Sequence, residues 1–204
     1  MNAMRSLCLA ATLSLCVMSS ARSESAPSLQ LLQHALDPNP TLQSYTASAT
    51  LAVILHAPLP VRKTLHGTVY YRKPTRKVVF SNVPPALRSF SEFAASMPAY
   101  DEFVREYRIT PDSDDGKSST YLLLPNRQGR VVALNVRVGD ESELIEEMLW
   151  TYVSNERLSV HPTYAKSDGF ELLSSAAISA HFTGYNVDGT IGFSDYKLEV
   201  PVPI

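Results

Sequence analysis

Cysteine is scarce in this chain: Cys8 and Cys16 are its two copies, and both lie in an apolar stretch near the N-terminus. The rest of the sequence therefore has no thiol for a disulfide, a thiolate metal site or a nucleophile, and its stability must come from a packed core. Long hydrophobic runs are lacking too. Leu7 to Met18 holds about a dozen residues, whereas a bilayer-spanning helix needs roughly 20. Positive charge is not in excess. Arg5 and Arg22 fall in the leader described below, which leaves 16 of the 18 Lys and Arg against 20 Asp and Glu, a net of −4. That balance excludes the strongly basic footprint of a nucleic-acid binder. Enzymatic constellations are absent as well: there is no H-E-x-x-H, no G-x-S-x-G and no Walker loop. His34, His56, His66, His161 and His181 are scattered without ligand spacing. The reading is of a chain that is not an enzyme and needs no cofactor or metal.

What is present begins with an export signal. Met1 to Arg5 form a short basic start, Leu7 to Met18 an apolar run, and Ser19, Ser20 and Ala21 offer small residues for cleavage. Residues 1 to about 23 thus read as a signal peptide, followed by a single domain over 24–204 of a size that buries its own core. Leu13-Ser14-Leu15-Cys16 also resembles a lipobox, with Leu15 where a small residue is expected. Lipid anchoring through Cys16 is the alternative to simple cleavage.

Leu29, Leu32, Ala35 and Leu36 recur at helical spacing between Pro27 and the stops at Pro38 and Pro40, predicting a short helix. From Tyr45 the period becomes two. Tyr45, Ala47, Ala49, Leu51, Val53 and Leu55 alternate with Thr46, Ser48 and Thr50, and after Pro58 to Pro60 the alternation resumes with Leu65, Gly67, Val69 and Tyr71. These two strands should form a hairpin, with a third over Arg76 to Ser81. Pro84-Pro85 then opens an amphipathic helix whose apolar stripe is Leu87, Phe90, Phe93, Ala94 and Met97. Further strands are expected over Phe103 to Thr110, Ser119 to Leu124, Val131 to Val138, Arg157 to Tyr164, Ala176 to Thr183 and Thr190 to Val200. Turns are expected at Asp115-Gly116, Gln128-Gly129, Asp168-Gly169 and Asp188-Gly189. Leu144 to Tyr152 fits either a helical stripe or a strand, and strands on both sides favour the strand. The spacing is that of an antiparallel meander, not of β-α-β units.

Three of these features together, a short N-terminal helix, Tyr45-Thr46-Ala47-Ser48 opening a long strand, and Gly67-Thr68-Val69-Tyr70-Tyr71-Arg72-Lys73-Pro74, resemble the LolA/LolB-like family of periplasmic lipoprotein carriers and receptors. The resemblance is best over the first third of the mature chain. It implies a mainly β fold: a curved antiparallel sheet, or unclosed β-barrel, with an N-terminal helix and a helical lid or plug. It also implies a soluble periplasmic carrier or binder of a lipid or lipoprotein acyl chain, touching membranes peripherally. The alternative on the same scaffold is a protein-interaction or envelope-sensing module that captures a protein partner and no lipid.

A half-barrel that takes an acyl chain needs a concave apolar face and few unpaired polar groups. The candidates for that face are Leu51, Val53, Leu55, Leu65, Val69, Tyr71, Phe80 and Trp150, all of which could equally be plain core. Leu87, Phe90, Phe93 and Met97 are the candidate lid. Arg62, Lys63, Arg72, Lys73, Arg76 and Lys77 form a basic cluster, of which Arg72, Lys73 and Arg76 are candidates to meet an anionic headgroup or an acidic partner. Such a cluster also serves to protect a solvated strand edge from aggregation.

Overall fold

The computed structural model describes residues 27–56, 60–83 and 100–202. The expected leader and the candidate lid residues Leu87, Phe90, Phe93 and Met97 lie outside the described residues. Among the described residues, ten strands form one antiparallel sheet that does not close. They are β1 (Ser44–His56), β2 (Val61–Arg72), β3 (Thr75–Phe80), β4 (Tyr107–Asp114), β5 (Ser118–Pro125), β6 (Val131–Gly139), β7 (Ile145–Tyr152), β8 (Arg157–Ser167), β9 (Phe170–Phe182) and β10 (Tyr185–Leu198). Their order is β3-β2-β1-β10-β9-β8-β7-β6-β5-β4, so β3 and β4 are the edges and β10 returns to pair with β1. Two helices are described, α1 (Leu29–Leu36) and the short α2 (Tyr100–Glu106).

Period-two patterning decides which face is inside. Along β1, Ala47, Ala49, Leu51 and Val53 are buried while Ser48, Thr50 and Ala52 are exposed. One apolar cluster joins Leu65 of β2, near one edge, to Tyr121 and Leu123 of β5, near the other. A flat sheet would hold these strands far apart, so the sheet is strongly curled. Into its hollow goes α1, capped by the Ser28 hydroxyl accepting from the Gln30 amide, with Leu32 and Ala35 facing the core. The Tyr121 hydroxyl donates to the Ser28 carbonyl at 2.6 Å and holds the start of this helix to β5. A second, smaller cluster, Ala47, Ala49 and Val69, continues the inner face toward the start of β1.

The ambiguous Leu144 to Tyr152 segment is a strand from Ile145 on, as its neighbours imply. The 139–144 turn secures it: the Glu143 amide donates to the Gly139 carbonyl, and the Gly139 amide to that of Leu144. Gly67, part of the motif after which β2 was recognised, lies opposite Phe80, and a Cβ there would sit 2.6 Å from the Val79 carbonyl. Only glycine lets β3 approach this closely.

Two expectations are corrected. Phe103 to Thr110 is not one strand: residues up to Glu106 are helical and β4 begins at Tyr107. Phe103 is buried and its ring meets that of Tyr107, the first residue of β4, at 5.8 Å across the helix-to-strand junction. Asp188-Gly189 is not a turn either but lies within β10, where Asp188 accepts from the Ser179 hydroxyl and pairs with His56 across the sheet. The turn between β9 and β10 falls instead at Gly184, with φ of 91°.

Candidate functional site

Where α1 ends, the Asp37 to Leu42 segment crosses the open end of the sheet and roofs a cavity of about 560 Å³. Asn39 holds this segment down with two bonds to one residue of β9, its side-chain amide donating to the Glu171 carbonyl at 2.6 Å and its oxygen accepting from the Glu171 amide at 2.9 Å. From the other side Lys73 Nζ reaches Asp37 Oδ2 at 2.6 Å and the Pro40 carbonyl at 3.0 Å. The apolar wall is built by Ala35, Leu36, Leu42, Ile145, Leu172 and Leu173.

The sheet side of the cavity is aromatic. Antiparallel register places Arg76 of β3 opposite Tyr71 of β2, and Tyr71 opposite Tyr45 of β1. Tyr45 and Tyr71 stack at 4.8 Å, and Tyr196 of β10 closes on Tyr45 at 5.3 Å. Tyr164 of β8 faces the same space. Burial pushes the Tyr71 and Tyr164 phenols up to about 12, with the Arg76 charge pulling the other way; at Tyr71, Asp37 and Tyr45 add to the rise. Burial likewise raises Tyr45 and Tyr196. All four phenols, like any tyrosine, are protonated at neutral pH and carry an O–H. The Arg76 guanidinium lies within hydrogen-bonding reach of the Tyr45 hydroxyl, yet its Nε is buried with no partner.

The predicted cavity residues divide. Leu51, Val53, Leu65 and Trp150 are buried in the main core, with Leu55 and Phe80 packed against it, and Val69 belongs to the smaller cluster. Of the eight, Tyr71 lines the cavity. Of the candidate headgroup contacts, Lys73 and Arg76 line it, whereas Arg72 is exposed on the opposite side of its strand. The basic cluster is thus split by strand alternation, and Arg62 and Lys63 border a shallow groove on β1, β2 and β10 that also touches Val53. The sequence reading missed Tyr164, Tyr196, Leu172 and the Asp37 to Leu42 roof. Tyr164 and Tyr196 carry no local signal, because only pairing of β8, β9 and β10 brings them beside β1. Asn39 between two prolines was a signal that could have been read as a docked turn.

Among the described residues, no group of three or more His, Cys, Asp or Glu is placed to hold a metal ion, and no helix is long and apolar enough to cross a membrane.

Comparison with known proteins bears on this architecture. No protein-family model matches the sequence, and no curated protein matches it. Solved structures do. A domain described as an outer membrane lipoprotein-sorting protein from Vibrio parahaemolyticus superposes with a TM-score of 0.58 at 13% identity, over 86% of this chain and 94% of that one. A LolA superfamily protein from Nitrosomonas europaea gives 0.58 at 13% identity, over 87% and 96%. A DUF1329 family protein from Desulfovibrio piger gives 0.57 at 13% identity, over 88% and 96%. The fold is LolA-like, as the residues of the first hairpin imply.

Proposed function

We propose that this protein is a periplasmic carrier or binder, not an enzyme, and that its ligand is an acyl chain of a lipid or lipoprotein held in the cavity beneath the Asp37 to Leu42 segment. The observation that carries this reading is the cavity itself. At about 560 Å³ it falls within the roughly 300–1,000 Å³ of small-ligand sites, and it combines an apolar wall with a few convergent polar groups. Elsewhere in the hollow, among the described residues, Leu32 and Ala35 of α1 pack with the inner-face side chains of the sheet in one apolar cluster. A fold of this kind hosts different cargoes, so the cargo is argued from the cavity and not from the scaffold.

Native mass spectrometry of the protein exported into a bacterial periplasm, followed by solvent extraction, tests the reading. Lipid at near-unit stoichiometry is expected. After delipidation, an acyl ligand at a hundredfold excess over its Kd should stabilise the fold by about 2.7 kcal/mol. Protein that leaves the cell empty, and whose melting temperature ignores acyl ligands, would exclude it and turn attention to a protein partner.

A further inference from the structure

The polar and charged groups that line the cavity are not evenly partnered. His34 sits 3.3 Å from Glu143, Lys73 is 2.6 Å from Asp37, and Glu171 is 3.0 Å from Lys166. Arg76 is the exception: among the described residues no carboxylate lies in ion-pair contact with it, and its buried Nε has no hydrogen-bond partner. A guanidinium with no carboxylate beside it and a buried, unpartnered Nε is costly, because the Tyr45 hydroxyl replaces only part of the hydration that burial removes. Exposed basic residues on an edge strand need no such setting, as Lys77 beside it shows by pointing to solvent.

What surrounds Arg76 is suited to an anion. Tyr45, Tyr71 and Tyr164 border the same cavity, and their phenols offer O–H donors that a carboxylate or phosphate can accept from while the guanidinium supplies the charge. Tyr196 is committed elsewhere, its hydroxyl donating to the Leu173 carbonyl at 2.6 Å, and so acts as a brace behind Tyr45. The seat is held by strand register, not by a loop: Arg76, Tyr71 and Tyr45 stand in one row across β3, β2 and β1. The apolar wall of Leu36, Leu42 and Leu172 lies across the same space.

We infer that Arg76, with Tyr45, Tyr71 and Tyr164, is an anion seat at the edge-strand side of the cavity, and that the ligand is an amphiphile bearing a carboxylate or phosphate that docks on Arg76 while its chain lies along Leu36, Leu42 and Leu172. This rests on the reading of the cavity as an acyl site and narrows it, since an uncharged acyl chain leaves the guanidinium unanswered.

The test is calorimetric titration of the delipidated exported protein with dodecanoate, dodecyl phosphate, dodecanol and inorganic phosphate. Dodecanoate and dodecyl phosphate should bind about tenfold or more tighter than dodecanol, the yield of a charge-assisted hydrogen-bond set. Arg76→Gln should bring both anionic ligands down to the affinity that the same variant shows for dodecanol, and Arg76→Lys should keep part of the preference. Equal affinity for the three chains in the unaltered protein overturns the seat and leaves the acyl cavity standing, a result that does not depend on any variant folding. A preference that survives in a folded Arg76→Gln protein also overturns it. Failure of all three chains to bind removes the cavity reading and the seat together. Inorganic phosphate bound as tightly as dodecyl phosphate makes this a small-anion site and overturns the amphiphile.

Discussion

Four tyrosines, Tyr45, Tyr71, Tyr164 and Tyr196, hold their protons more tightly in the folded protein than the ordinary value of 10.0 because burial disfavours the phenolate. The unfolded chain releases those protons first as pH rises. The contribution of Tyr71 and Tyr164 is therefore complete below pH 10 and is lost between about 10 and 12, where the unfolded state binds fewer protons than the folded one. Urea midpoints measured from neutral pH upward should stay level to about pH 10 and then fall, and Tyr164→Phe should make that fall shallower. A midpoint that is level throughout, or a fall untouched by Tyr164→Phe, would contradict the burial of these phenols. At this scale the sequence was partly legible. Tyr71 and Lys73 stand in the Gly67 to Pro74 motif, and Arg76 in the basic cluster beside it. Nothing near Tyr164 or Tyr196 announces a partner, because their neighbours in space come from strands far away in the chain.

Among the elements, α1 carries weight out of proportion to its eight residues. An isolated helix so short is not stable in water, so it persists because Leu32 and Ala35 are buried in the curl of the sheet and its start is tied to Tyr121. Leu32→Ala should lower the unfolding free energy by about 2–5 kcal/mol, the cost of a large core side chain lost to a cavity. Tyr121→Phe, which removes one hydrogen bond and little volume, should cost about 1 kcal/mol. Denaturant titration of both separates packing from tethering, and a Leu32→Ala cost no larger than that of Tyr121→Phe would show that α1 is not a plug. The helix itself was readable from its 3.6-residue period and flanking prolines. The helical turn at Tyr100–Glu106 was not, since its few apolar residues fit a strand equally well until Phe103 finds the core.

For the molecule as a whole, the division between core and cavity matters most. The inner-face residues of the hairpin look alike in sequence, yet Leu51, Val53 and Leu65 are filled-in core while Tyr71 borders open space. Leu51→Ala should therefore lower stability by about 2–5 kcal/mol and leave the affinity of the folded protein for an acyl ligand unchanged. Stability and binding measured on the same samples check this; a large loss of affinity with little loss of stability would put the ligand in the hollow and not at its end.

The alternation of apolar and polar residues was enough to determine an antiparallel meander with one buried face, because a strand's side chains must point to opposite sides whatever surrounds them. The first hairpin follows from it, as the N-terminal helix follows from its 3.6-residue period. Which end of the buried face stays open, and which charge there goes unanswered, was decided by tertiary structure alone. Curling of the sheet, the depth of α1 and the clamp of Asn39 on Glu171 set how much volume remains. These depend on pairings such as β1 with β10 that join the two ends of the domain, and period-two patterning is the same for every partner a strand could choose.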